Sequence, residues 1–305
     1  MTDGKQQAAR SDQGESDQRV VGVTGDDYDP HAVPISHAAT VMLLDDRPDL
    51  HVLMVHRTAK VVFAPDMWVF PGGRVDPEDH LADFDTLCRG LSDREASAIL
   101  EVERGGLAWW VAAARETLEE AGLLLATGER TNTAPEDWHR TVAEVRQRVL
   151  EDESVFADVL LERGISLDVT PIEEVARFVT PLGSPRRFDA RFFVARAPAD
   201  QDPSHDEGEI VNCEWIRPED ALAQWRNGSM EMMSPTVRMV ACLARYRSAD
   251  EVLAVARRRL PYKRVRVIDP DGAYEVVLPG EPGYEHAQLE IETGFVRLWE
   301  AGGAT

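Results

Sequence analysis

Glu116, Glu119 and Glu120 are spaced by three, four and one within the run Arg115-Glu116-Thr117-Leu118-Glu119-Glu120-Ala121-Gly122-Leu123. On a helix turning roughly 100° per residue, all three point into an arc of roughly 100°. Carboxylates held that close repel. At about 4 Å each pair costs roughly 1 kcal/mol in water and roughly 4 kcal/mol at a protein-surface dielectric. A hard divalent cation on that face offsets the cost, and oxygen-only ligands suit Mg2+ or Mn2+. A solvated acidic helix face would carry the same residues, so the neighbours matter: an arginine just before, a glycine just after, and a Pro-Gly-Gly upstream.

That upstream element begins with Trp68-Val69-Phe70, a β-prone run entering Pro71-Gly72-Gly73, which reads as a strand leading into a tight loop. Glycines there let the backbone approach a ligand closely. Followed by the acid-rich stretch to Glu78 and by the Arg115 run, the segment resembles the Nudix box, G-x5-E-x7-R-E-U-x-E-E-x-G-U with U apolar. Gly72 to Glu78 fits the first half. Arg115 to Leu123 fits the second, with Thr117 at an apolar position. Between Glu78 and Arg115 lie 36 residues where the box has seven, which implies an insertion of 29.

An interrupted box, together with Phe178-Val179-Thr180-Pro181 and the run from Arg186 to Phe193, is similar to the branch of that superfamily containing the peroxisomal coenzyme A diphosphatases. The resemblance implies an α+β fold, an α/β/α sandwich with a mixed sheet between helices. It implies a metal-dependent hydrolase whose water attacks phosphorus in a nucleoside diphosphate linkage. Glu119 and Glu120 match the main metal-ligand positions and Glu116 a third, with the carbonyl of Gly72 or Gly73 completing the shell. Arg115 and Glu78 match a pair that ties the loop to the helix. A further acid comes from the region before Val211, with Glu207 the first candidate for general base or extra ligand and Glu209 the second. Arg186, Arg187 and Arg191 flank an alternating strand and are candidates for substrate phosphates. Salt-bridged surface arginines would look the same.

Coenzyme A or a thioester is the leading substrate, cleaved to 3′,5′-ADP and a 4′-phosphopantetheine product. ADP-ribose, a dinucleotide or a damaged triphosphate is the alternative within the fold. A non-catalytic ligand-binding regulator is the alternative of another class, and the survival of all three glutamates argues against it. The chain ends Gly-Gly-Ala-Thr, without a Ser-Lys-Leu peroxisomal signal.

Composition narrows the partners. A net charge of −22 argues against nonspecific binding to nucleic acid or anionic membrane. It also requires positive charge to be localised wherever a polyanion binds. No apolar run approaches the about 18 residues of a membrane span, and no signal-peptide core opens the chain, so a cytoplasmic protein is expected. Cys88, Cys213 and Cys242 are scattered without metal or disulfide spacing. A homodimer is left open.

The elements that must position these residues follow from pattern. Residues 1–30 lack an apolar period and read as a disordered tail. Residues 31–248 read as the catalytic domain, with insertions at about 79–107 and 128–165, and 249–305 as a C-terminal helix and β appendage. Strands are expected at 38–44, 52–56, 174–181, 187–195 and 211–216. The box helix spans about 107–121, with Gly122 as its terminator and Ser92 capping a preceding helix. In the second insertion Trp138, Val142, Val145 and Val149 form an apolar stripe that packs. Helices at 218–225 and 234–246 close the domain, the second with Ser234 as cap and Pro235 at its first position.

Overall fold

The computed structural model describes residues 31–61, 63–127, 135–182, 184–205, 208–268, 275–287 and 293–299. The expected N-terminal tail lies outside them. In chain order, β1 (Ile35–Asp46), β2 (Leu50–Arg57), β3 (Trp68–Val69) and β4 (Gly72–Arg74) precede α1 (Phe84–Leu87), β5 (Cys88–Arg89), α2 (Asp93–Leu100) and α3 (Leu107–Ala121). Next come β6 (Ala126–Thr127), α4 (Pro135–Glu151), α5 (Phe156–Arg163), β7 (Ser166–Asp168), β8 (Glu173–Val179), β9 (Arg187–Arg196) and β10 (Ile210–Ile216). The chain closes with α6 (Pro218–Arg226), α7 (Ser234–Leu243), α8 (Ala249–Ala256), β11 (Lys263–Arg264), β12 (Arg266–Ile268), β13 (Glu275–Val277) and β14 (Thr293–Val296).

The main sheet runs β10-β2-β1-β9-β8-β14-β11, with β3 on β2 and β4 on β1. Only β1 and β9 pair in parallel, from Ile35 opposite Arg187 to Leu44 opposite Arg196; the other pairs are antiparallel. Alternation along β1 sends Ala39, Val41 and Leu43 to one core and Met42 and Leu44 to the other. The first core is covered by α1 to α5, the second by α6 to α8. Helices on both faces of a mixed sheet make the expected α/β/α sandwich. The apolar stripe of α4 packs into the first core, with Val145 and Val149 almost inaccessible.

Two features of organisation were not expected. The first insertion pairs with the strands that flank the second, since β5 lies parallel to β7 just after it, and β6 just before it completes a small sheet. The C-terminal strands extend the main sheet, with β14 pairing along β8 and β11 along β14. A buried polar network fastens that extension. The Tyr262 hydroxyl donates to Glu174 of β8, Arg297 stacks on the Tyr262 ring at 4.0 Å, and Arg191 of β9 bonds the Leu100 carbonyl of α2 at 2.9 Å. The cap of α7 differs by one position: Met233 caps it, so Ser234 and Pro235 are its first two residues.

Candidate active site

Helix α3 carries the glutamates because nearly everything before them is apolar. Ala108, Trp109, Trp110, Val111 and three further alanines are buried, which fixes the helix against the sheet and leaves only its last turn polar. Its N-terminus is held by α2. Asp93 accepts from the amides of Gly105 and Leu107, both at 3.0 Å, and Ser97 accepts from Gly106 at 2.9 Å. Those bonds satisfy donors that a helix start leaves unpaired. Thr117, the residue that departs from the apolar pattern, is fully buried and donates its hydroxyl to the Ala113 carbonyl at 2.7 Å. A threonine satisfied within its own helix replaces an aliphatic side chain there. At the other end Gly122 takes a left-handed conformation, φ 67°, and ends the helix.

Arg115 is the hub of the last turn. Only 2% exposed, it donates Nε to Asp79 Oδ1 and Nη2 to Asp79 Oδ2, each at 3.0 Å. Nη2 also reaches Asp76 at 3.2 Å and the Arg74 carbonyl at 3.0 Å. Nη1 reaches Glu116 at 3.0 Å and Glu119 at 2.9 Å, and Glu153 lies 3.7 Å away. Burial works against the guanidinium's charge, yet the Asp79 hydrogen bond and the Glu116, Asp79 and Glu119 charges raise its pKa above the ordinary arginine value.

The expected partner, Glu78, is not the one that meets Arg115. It sits exposed on the 3-10 turn of residues 77–80, while its neighbour Asp79 is buried. Asp76 caps that turn and its amide donates to Asp79 Oδ2 at 2.9 Å, which aims the Asp79 carboxylate inward. Counting the five-residue spacer of the box from Gly73 instead of Gly72 lands on Asp79.

Glu120 is held from two sides. Arg57, at the end of β2, pairs with it at 2.7 Å, and the Gly72 amide donates to it at 2.9 Å. Burial pushes its pKa up to about 7 against those two partners. Burial likewise raises Glu116 well above the usual carboxylate range, with Arg115 opposing and the charges of Glu120, Glu119 and Asp79 adding. Glu119 is raised by burial too, opposed by Arg115 and reinforced by Glu153 and Asp79. Gly73 is pressed against Glu116 so closely that a Cβ there would lie 2.3 Å from its Oε1. Gly72 has φ 158° and a Cβ on it would meet the Ala39 carbonyl at 2.5 Å, so backbone approach requires glycine there, whereas a side chain at Gly73 would displace the Glu116 carboxylate.

The charges do not balance. Among the described residues, seven carboxylates of this ion-pair network, those of Asp76, Asp79, Glu116, Glu119, Glu120, Glu153 and Glu209, face the guanidiniums of Arg57, Arg74 and Arg115, with Arg146 on the Glu119 carbonyl. A hard divalent cation fits that donor set in chemistry and charge. Among the described residues no three such side chains converge on one point, because Glu119 turns to Arg115 and Glu120 to Arg57 and Gly72.

The remaining candidates separate. Glu207 lies outside the described residues. Glu209 is exposed and joins the cluster through Arg57, 3.0 Å away. Arg186 is exposed, and Arg187 is half-buried with its Nε donating to the Thr180 carbonyl at 3.3 Å. Arg191 is not at a phosphate-binding surface: it is 4% exposed, committed to Leu100 and Tyr262, and 3.8 Å from Glu174. Its inward direction was set by strand parity, but the partner that buries it comes from α2, over 90 residues away. Arg57 and Asp79 were both missed. Asp79 was legible in the spacing from Gly73; Arg57 had no signal, because only the β2–β1–β4 pairing brings it beside Glu120.

Comparison with known proteins points the same way. The model of the NUDT19 Nudix domain matches residues 92–243, which include α3 and its glutamates. The acyl-coenzyme A diphosphatase NUDT19 of Xenopus laevis is 24% identical over 236 residues, covering 67% of this chain and 62% of that protein. The chain therefore spans less than two thirds of that relative. The Gallus gallus protein of the same name is 26% identical over 283 residues, covering 77% of this chain and 73% of its own. Among solved structures, a NUDIX hydrolase from Alicyclobacillus acidocaldarius aligns with a TM-score of 0.57 at 25% identity, covering 73% of this chain and 97% of that one.

Proposed function

Since the chain belongs to the Nudix hydrolase superfamily, we propose that it is a divalent-metal-dependent diphosphatase acting on coenzyme A or an acyl-coenzyme A. The products are 3′,5′-ADP and a 4′-phosphopantetheine or its acyl derivative. The observation that carries this reading is the last turn of α3: Glu120 is buried against the Gly72 amide, Glu116 and Glu119 are half-buried beside it, and Glu116 lies against Gly73.

Nudix hydrolases generally use divalent metals. Here Glu116, Glu119 and Glu120 would hold Mg2+ or Mn2+, with a carbonyl of Gly72 or Gly73 alongside. When bound, the metal neutralises the diphosphate and lowers the pKa of a coordinated water. Arg115 has a positioning role, fastening the glycine loop to the helix through Asp79 and Asp76. Arg57 orients Glu120 and holds Glu209 at the edge of the cluster. Glu209, or Glu207 two residues earlier, would accept the proton of the attacking water. The bond formed is between the water oxygen and phosphorus; the bond broken joins that phosphorus to the bridging oxygen, which leaves with the other phosphate.

The choice of coenzyme A over other nucleotides is supported by the names of the relatives and by an exposed strand end. Arg186 and Arg187 offer guanidiniums there, and the ring of Phe63, 40% exposed, lies 4.9 Å from that of Phe188 as a stacking surface for a base. The chain is read as a cytoplasmic protein; its three free cysteines suit a reducing compartment, and no described helix is long and apolar enough to cross a membrane. Incubating the protein with coenzyme A, acetyl-coenzyme A, ADP-ribose, NADH and diadenosine polyphosphates, with and without chelator, tests the reading by product identification. Release of 3′,5′-ADP only when metal is present supports it. Faster turnover of ADP-ribose than of coenzyme A overturns the substrate.

A further inference from the structure

Helix α4 has two working faces. One is the buried stripe of Trp138, Val142, Val145 and Val149, with Val142 at its edge. The other lines a cavity of about 420 Å³ between α4 and the loop that follows β9. Val142, Ala143 and Leu150 give this cavity an apolar wall, edged by the polar side chains of His139, Arg146, Gln147, Gln201, Asp202 and Ser204. The α4 residues among them recur at three- and four-residue steps, which is one face of a helix. Packing of the sheet does not require this second face, since Ala143 and Leu150 are exposed.

The cavity adjoins the C-terminal end of the box helix, with Gly122 in its lining. Arg146 donates Nε and Nη2 to the Glu119 carbonyl, at 3.2 and 2.7 Å, and Nη1 to Ser204 Oγ at 3.0 Å. Leu150, at the far end of the wall, is followed three residues later by Glu153, which lies 3.7 Å from Arg115. The Ser204 amide bonds the Ala121 carbonyl at 2.8 Å, so the loop closes directly on the end of the box helix. Gly122 makes this approach possible, because a Cβ there would lie 2.5 Å from Ser204 Oγ.

We propose that this cavity is the subsite for the non-nucleotide arm of the substrate: an extended, uncharged chain of methylenes broken by amides, as in the pantetheine arm of a coenzyme A thioester. It rests on the diphosphatase reading and deepens it. The volume falls within the range of small-molecule sites, and an apolar wall edged by hydrogen-bonding side chains matches a chain of methylenes broken by amides. The second helical insertion then has a use beyond packing. It builds a specificity pocket at the exit of the box helix, where a substrate whose diphosphate lies on the glutamates would extend its arm.

The test uses the full chain with 4′-phosphopantetheine as probe. Isothermal titration should detect binding, and Ala143→Trp, which fills the cavity from an exposed position, should weaken it about tenfold with unchanged circular dichroism. In turnover assays the same variant should raise KM for coenzyme A about tenfold, and should raise it less for ADP-ribose, whose non-nucleotide arm is a single short ribose. Leu150→Asp serves as an independent variant at the other end and should act the same way. Coenzyme A turnover with an unchanged KM in both variants, and no phosphopantetheine binding, would overturn the subsite while leaving the diphosphatase intact. Phosphopantetheine binding lost in Ala143→Trp, in a protein that does not cleave coenzyme A, would support the subsite and remove the diphosphatase reading.

Discussion

Arg115 and Asp79 are joined by two parallel hydrogen bonds of 3.0 Å although 36 positions separate them in the chain. The first insertion leaves the chain immediately after this aspartate, passes through α1, β5 and α2, and returns at Gly105 to start α3. Because Asp93 and Ser97 of α2 cap α3, the excursion also holds the helix that receives the bond. An insertion of this length therefore leaves the tether between loop and helix in place.

Asp79, and not Glu78, should be the residue whose loss is felt. Asp79→Ala leaves a buried guanidinium without its bidentate partner and frees the glycine loop, so kcat/KM should fall about 100-fold, the scale of a small misplacement at a reacting centre. Stability should fall by about 3 kcal/mol, as for a broken buried pair. Glu78→Ala should change neither. A double-mutant cycle of Asp79→Ala with Arg115→Ala should cost much less than the sum of the single changes. Additive losses, or a Glu78→Ala enzyme as damaged as Asp79→Ala, would show that the tether lies elsewhere.

Removing one charge from the last turn of α3 separates catalysis from folding. Glu120→Gln keeps the shape and an acceptor for Gly72 but takes away a carboxylate that would hold the proposed divalent cation. Activity should drop about 1,000-fold or more, matching several kcal/mol of lost transition-state stabilisation. Thermal stability of the metal-free protein should hold or rise, because burial and neighbouring acids already disfavour this charge. Chelator should abolish wild-type turnover, and Mg2+ or Mn2+ should restore it. Full activity in chelator would end the metal reading.

The strands and the helix that carries the glutamates were legible from local pattern, and the sandwich from the resemblance those residues carry. β-prone runs bounded by turn residues predicted the core strands, and the glutamate spacing between Gly105-Gly106 and Gly122 predicted α3 at about 107–121, as observed for Leu107–Ala121. What pattern misses is pairing at a distance. Arg57 carries no local sign that it will meet Glu120, and Arg191 reads as a surface arginine until α2 covers it. The 249–305 segment reads as an appendage because its strands are short, yet β14 finds β8 and joins the main sheet. Asp79 is a different case. Its position follows from the spacing once the count starts at Gly73, the glycine that touches Glu116.

Glu174 gives the fold a pH-dependent stability apart from the glutamates of α3. Burial pushes its pKa up from 4.5 to about 7, against the Tyr262 hydrogen bond and the charges of Arg297 and Arg191. The folded protein therefore binds a proton there that the unfolded chain has released between pH 4.5 and 7. Stability contributed by this group is present below that window and lost as pH rises through it, by about 3 kcal/mol in all. Glu174→Gln keeps an acceptor for Tyr262 and cannot titrate, so its unfolding free energy should be flatter than wild type across the window. Equal slopes in urea titrations at pH 5, 6 and 7 would refute this assignment.

Of the three arginines near β9, only Arg186 and Arg187 remain available for a substrate phosphate. Arg187 pairs in register with Ile35, and Gly73 with Ala39, four residues or about 13 Å further along β1. That separation suits a nucleotide whose diphosphate lies at the glycine loop and whose ribose phosphate lies at the strand end. Coenzyme A carries a 3′-phosphate that its dephospho form lacks, and a guanidinium can grip it with two parallel bonds. Arg187→Ala should therefore raise KM for coenzyme A about tenfold, leave dephospho-coenzyme A nearly unchanged, and leave kcat alone, as expected for a lost ground-state contact. Arg186→Ala should act in the same direction if both guanidiniums share the phosphate. Arg191→Ala should differ in kind. It strips a buried charge from Glu174 and should cost about 3 kcal/mol of stability with no preference between the two substrates. Equal KM changes for coenzyme A and its dephospho form in Arg187→Ala would place the 3′-phosphate elsewhere.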